Sequence, residues 1–118
     1  MLVLTNYTAA HEAALNEFKA DIGHLNALAN ANRQKLLMIL GQSGDSKGVK
    51  VNDLAKKIGL SQPATSHHLK TLHDIGMVGS RQEGNVVYYY LTLDDTIQRL
   101  ERITAALRAR AAETVDED

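Results

Sequence analysis

The sequence predicts a mainly α-helical winged helix-turn-helix fold with one small β-hairpin, in the order α-α-α-α-β-β-α. Three observations predict it. Apolar residues recur every three or four positions along most of the chain, the spacing of an amphipathic helix. Between Met77 and Leu93 the period shortens to the two-residue alternation of strands. Just before that switch, two short helical stretches meet across a glycine, as in a helix-turn-helix.

Each element has its own signal. Leu15, Phe18, Ile22, Leu25 and Leu28, spaced 3, 4, 3 and 3 apart, place the first helix at about residues 8 to 27. A second helix follows at about 31 to 43, with Asn30 or Asn32 as N-cap and Leu36, Leu37, Ile39 and Leu40 as its apolar run. Gly41 to Gly48 holds three glycines and two serines and reads as a loop. A short third helix fits Asn52 to Ile58, capped by Asn52 and ended by Gly59 in the left-handed conformation. Ser61 caps a fourth helix running to about Ile75, with Pro63 in the first turn, where its missing N–H costs nothing, and Gly76 beyond the end. The helix-turn-helix is thus residues 52–75 and the wing residues 77–93. Met77–Gln82 and Val86–Leu91 flank Glu83-Gly84-Asn85, a hairpin loop with its glycine. A last helix at about 94 to 112 carries Leu93, Ile97, Leu100, Thr104, Leu107 and Ala111 on one stripe.

Composition narrows the function. The 118 residues suit a single domain, and 44% apolar with 23% charged residues is ordinary for a globular chain. Thirteen bases against fourteen acids give a net charge of −1, which excludes a wholesale basic polyanion binder but not a local basic face. The charge is uneven: Glu113, Asp116, Glu117 and Asp118 crowd an acidic tail (113–118), and without these four acids −1 becomes +3. From Lys50 to Tyr90, five bases face three acids, a local +2. With no cysteine, the chain offers no disulfide, thiolate metal site, cysteine nucleophile or thiol redox sensor. No apolar run nears the ~18 residues of a membrane span, and the start lacks a signal-peptide pattern, so a cytoplasmic location without a membrane partner is expected. An enzyme is not expected, since the chain has no Gly-rich phosphate loop and no nucleophile elbow.

A winged helix-turn-helix suits duplex DNA: one helix braces a second in the major groove while the hairpin reaches the neighbouring backbone. On the fourth helix, Thr65, Leu69 and Leu72 point inward. Pro63, His67, Lys70, Thr71 and Asp74 lie roughly opposite, flanked by Gln62, Ala64 and Ser66. Gln62 suits adenine, Ser66 and His67 suit base edges or phosphates, and Lys70 suits a phosphate. Ser61 begins a helix whose free N–H groups favour a phosphate, and Arg81 and Asn85 are the wing's contacts. A protein-contact module with the same fold is the rival reading.

Several segments resemble the ArsR/SmtB family of bacterial repressors. They are Leu28-Ala29-Asn30-Ala31-Asn32-Arg33, Asp53-Leu54-Ala55, Gly59-Leu60-Ser61-Gln62, Ser66-His67-His68-Leu69, Gly76-Met77-Val78, Arg81-Gln82-Glu83-Gly84 and Tyr88-Tyr89-Tyr90-Leu91. They match in order and spacing over about residues 25 to 93. The resemblance implies a homodimer built on the first and last helices, which binds an inverted-repeat operator in double-stranded DNA and releases it on a signal. The apolar stripes agree, so Leu15, Phe18, Ile22, Ile97, Leu100, Thr104 and Leu107 are expected at the dimer contact. Two metal sites known in relatives are not matched. Lys50 and Asn52 stand where a Cys-x-Cys would, and of an Asp/His quartet in the last helix only Asp95 remains, beside Ile97, Arg108 and Ala111.

The remaining titratable groups are read as follows. His67 belongs to the DNA face, His68 packs under the wing or is hydrogen-bonded, and His73 is half-exposed. Asp21 and His24, with His11 and Glu12 on the same helix, are expected as solvated polar positions; a nickel or zinc site between subunits is the alternative. Tyr88 to Tyr90 serve strand packing rather than single-strand stacking. No cofactor or metal is expected, and the inducer is not identified by the sequence.

Overall fold

The computed structural model describes residues 8–42 and 48–113. The elements are α1 (Ala9–Ala20), α2 (Ile22–Leu28), α3 (Ala31–Gln42), β1 (Val49–Lys50), α4 (Val51–Ile58), α5 (Gln62–Asp74), β2 (Val78–Glu83), β3 (Val86–Leu91) and α6 (Asp94–Ala111). Most of the loop expected over 41–48 and most of the acidic tail fall outside the described residues. The chain divides into two compact units, Gly23–Thr96 and the pair of segments up to Ile22 and from Ile97 onward.

The Gly23–Thr96 unit carries the main apolar core. Leu36, Leu37 and Leu40 of α3, Leu54 of α4, Leu69 and Leu72 of α5, and Met77 and Val78 leading into β2 are all buried together with Ala27 and Val49. The α2–α3 junction explains the Leu28–Arg33 segment chemically. Asn30 Oδ1 accepts from the Arg33 N–H at 3.0 Å and so caps α3, which selects Asn30 over Asn32. Arg33 turns back and donates to the carbonyls of Ala27 at 2.7 Å and Asn26 at 3.0 Å, and Gln34 Nε2 donates to that of Leu28 at 2.7 Å. Side chains of one helix thereby satisfy the orphan carbonyls of the one before it.

The sheet corrects the expected two-stranded hairpin: it has three antiparallel strands in the order β1-β3-β2. Val49 pairs with Tyr89 and Lys50 with Tyr88, while Arg81 pairs with Tyr88 across β2 and β3. A two-residue strand is too short to display an alternation, and its partner lies far along the chain. Gly48 makes the approach possible. Its φ is +94°, and a Cβ there would lie 2.4 Å from the Tyr89 carbonyl oxygen. A second correction concerns α4, which starts at Val51 with Lys50 at the N-cap position and no side-chain cap, so Asn52 does not cap it. Gly59 does end α4 with φ +77°, as expected.

The other unit corrects the first helix. Instead of one helix over 8–27 there are two, α1 and α2, broken at Asp21. The N–H of Asp21 still bonds the Glu17 carbonyl at 3.0 Å, but its backbone leaves the helix at φ −107° and ψ 10°. Asp21 is fully buried, its carboxylate 2.7 Å from the Arg99 guanidinium of α6. Glu17 lies 3.7 Å from Arg102. The neighbouring carboxyl, through a side-chain hydrogen bond, holds Asp21 below the usual carboxylate range, with Arg99 acting in the same direction, and holds Glu17 above it. The expectation that Asp21 is a solvated surface residue is therefore wrong, because the guanidinium draws it inside. Apolar burial here comes from Ala14 and Ile103.

Candidate nucleic-acid interface

The orientation of α5 follows from three side chains. Thr65, Leu69 and Leu72 have no exposed surface and anchor one face in the core. Ser61 Oγ accepts from the Ala64 N–H at 3.2 Å, and Thr65 Oγ1 donates to the Ser61 carbonyl at 2.9 Å, so the first turn is closed at both edges. The opposite surface is what remains. Ser61, Gln62, Pro63, His67 and Lys70 are exposed, and Ala64, Ser66 and Thr71 are half-buried beside them.

Their local bonds constrain what each can offer. Thr71 Oγ1 donates to the His67 carbonyl at 3.2 Å, which occupies its proton within the helix. Lys70 Nζ meets Asp74 Oδ2 at 3.0 Å, four residues on. An exposed pair of this kind contributes under ~1 kcal/mol, so a phosphate can displace the carboxylate. Among the described residues His67 has no such carboxylate partner, and its ring lies 5.9 Å from that of His68. His68 is half-buried and its Nδ1 is buried without a hydrogen-bond partner among the described residues. Burial first, then Arg33 and His67, push its pKa down and keep the imidazole neutral. His73, expected to be half-exposed, is exposed, with Nε2 3.3 Å from Ser80 Oγ. That contact fixes the end of α5 against the wing.

The wing presents fewer groups. Asn85 sits exposed at the tip beside Gly84, whose φ is +60°. Gln82 Nε2 donates to the Gly84 carbonyl at 3.0 Å and stiffens the turn. Arg81 is ion-paired with Glu83 and stacks its guanidinium 4.9 Å from the centroid of the Tyr88 ring. Directly paired residues of antiparallel strands project from the same face. Arg81, Tyr88 and Lys50 therefore form one row across β2, β3 and β1. Lys50 entered the sequence reading as part of a local charge surplus and at a position where relatives carry a cysteine, but not as a wing residue, because nothing in the sequence reveals its strand partner.

Of the candidate metal-binding residues, His24 and Asp21 have their side chains engaged elsewhere. His24 is buried, contrary to its expected solvated position, with Nδ1 3.0 Å from Thr96 Oγ1 and Nε2 3.8 Å from Asp95. Thr96 is itself buried, so the pair satisfies two polar groups that tertiary packing removed from water. Asp21 faces Arg99, and the backbone N–H of His11 donates to the Thr8 hydroxyl that caps α1. Among the described residues, no three His, Asp or Glu side chains gather as a metal would require.

Comparison with known proteins adds four findings. The family model for the bacterial regulatory proteins of the arsR family matches residues 30–80, from the cap of α3 into β2. The cadmium resistance transcriptional regulatory protein CadC homolog of Staphylococcus aureus is 32% identical over 104 residues, covering 80% of this chain and 84% of that protein. Among solved structures, HlyU from Vibrio cholerae is similar at 33% identity and a TM-score of 0.56, covering 82% of this chain and 95% of that one. An ArsR-like transcriptional regulator from a Rhodococcus species is similar at 27% identity and a TM-score of 0.67, covering 83% of this chain and 89% of that one.

Proposed function

From the premise that this chain belongs to the arsR family of bacterial regulatory proteins, a transcriptional regulator with a DNA-binding winged helix-turn-helix and not an enzyme, we propose that it is a dimeric repressor. The observation that carries the DNA reading is the division of α5 into two faces. Its apolar residues are spent on the core, leaving Gln62, His67 and Lys70 exposed. In this reading Gln62, Ser66 and His67 meet base edges, with Pro63 and Ala64 as apolar contacts. The α5 N-terminus at Ser61 and the side chains of Lys70, Thr71, Arg81 and Asn85 hold phosphates.

The dimer follows from apolar surface that one protomer leaves open. Leu15 (45% exposed), Ile22 (56%), Ile97 (48%) and Leu107 (43%) lie in the unit formed by the two chain ends. Phe18 and Leu100 are half-buried there, and Thr104 is exposed. Ile97, Leu100 and Thr104 line one shallow hollow of roughly 430 Å³ on α6. Covering this surface with a second copy removes it from water. Two copies of α5 then sit about one helical turn apart, roughly 34 Å, and read an inverted repeat. The S. aureus relative is named for cadmium resistance; this chain has no thiolate to offer such an ion, so its signal is read by other chemistry. Such a regulator works in the cytoplasm, where the bacterial chromosome lies.

A mobility-shift assay on genomic fragments at two salt concentrations tests the reading. Retention that weakens steeply with salt is expected, because phosphate neutralisation releases counterions. Absence of retained duplex, with capture of another protein instead, would replace it with the protein-contact reading.

A further inference from the structure

We propose that a lysine-lined hollow at the junction of β1, α4 and β3, separate from the outer face of α5, holds one phosphate group. The hollow has a volume of roughly 370 Å³, and Gly48, Lys50, Asp53, Lys56, Lys57 and Tyr88 are among its lining residues. Three ammonium groups and one carboxylate give it a formal charge of +2. Among the described residues none of the three lysines is ion-paired, although Lys70 elsewhere is. Like charges gathered around one concavity repel one another, and a tetrahedral oxyanion relieves that repulsion while accepting several N–H bonds.

Two features match the chemistry of a phosphate. Lys50 occupies the N-cap position of α4 without a side-chain cap, so among the described residues no side chain accepts from the amides of the first helical turn at that end. Tyr88, paired with both Lys50 and Arg81, connects the hollow to the cation on the wing through the row across the sheet. The phosphate comes either from the backbone of a bound duplex or from a free phosphate anion. The first source rests on the DNA-binding reading above; the second does not.

One exposed-residue variant, Lys50→Gln/Lys56→Gln/Lys57→Gln in the full chain, separates these sources. In the duplex arm, affinity for a retained genomic fragment and for an unrelated duplex is measured across a salt series. Loss of one phosphate contact lowers the slope of log affinity against log salt by about 0.9 and weakens both duplexes by the same factor. In the second arm, inorganic phosphate is titrated into wild type and variant at constant ionic strength, following the backbone amide resonances of residues 49–57. A lowered slope establishes the duplex as the source. An unchanged slope with saturable amide shifts in wild type, abolished in the variant, establishes a free anion. An unchanged slope without saturable shifts overturns the site. Should wild type retain no duplex, the DNA reading fails, and the phosphate titration alone decides the hollow.

Discussion

His67 and Ser66 stand on the same helix as Leu69, yet their fates differ because only Leu69 has a core to enter. Replacing either polar residue with alanine should weaken operator binding by about 1–3 kcal/mol per lost base contact and leave thermal unfolding unchanged. Filter binding at fixed salt checks this, and unaltered affinity in both variants removes these residues from the base-reading set. His68 makes a different prediction. Its pKa is depressed, chiefly by burial, so the folded chain binds fewer protons than the unfolded chain below the ordinary value of 6.5. Its contribution is therefore present above that pH and is lost as pH falls through the depressed value. Urea midpoints should decline below pH ~6.5 in wild type and decline less steeply in His68→Gln. The sequence separated the two histidines by helix face, His67 outward and His68 packed or hydrogen-bonded; it did not reveal that the buried Nδ1 of His68 would lack a hydrogen-bond partner among the described residues.

Among elements, the cap of α5 and the glycine ends of α4 and α5 were legible, the Asn52 cap was not, and the short strand was least so. Ser61, Gly59 and Gly76 act locally, within one turn of the chain, and the structure has them where local chemistry requires. Ser61→Ala should cost about 1 kcal/mol, as the loss of a helix N-cap usually does. Arg33→Ala, which uncaps α2, should cost about 1–3 kcal/mol, measured by denaturant unfolding; a cost indistinguishable from zero would show that water replaces the guanidinium fully. β1 works the other way. Val49 and Lys50 become a strand only because Tyr89 and Tyr88 arrive beside them, and Gly48 permits the approach. Gly48→Ala should destabilise the fold by about 1–3 kcal/mol through its positive φ, with further cost from the Tyr89 carbonyl. Loss of slow amide exchange at Tyr88 and Tyr89 would report that β1 had detached.

For the whole molecule, the decisive question is what covers the open apolar surface of α1 and α6. Leu107→Glu should dissociate the dimer and abolish DNA binding together, because a single α5 cannot span two half-sites. Sedimentation of an intact dimer in that variant would move the contact elsewhere. The break at Asp21 has the same scale. An apolar stripe from Leu15 to Leu28 suggested one continuous helix, but a buried carboxylate facing Arg99 ends α1, and Leu15 and Ile22 stay exposed. Asp21 and Arg99 are far apart in sequence, so no local pattern announces their pairing.

By itself the sequence determined the fold class, the order of most elements, the inward face of α5 and the absence of thiol chemistry. These depend on periodicity, on caps and on residue inventory, all of which act over a few neighbouring positions. Tertiary structure alone decided the third strand, the split of the first helix, the burial of Asp21 and His24, and the convergence of Lys50, Lys56 and Lys57 on one hollow. Each of those arises when distant segments meet and exchange water for one another, a free-energy change that no run of adjacent residues encodes.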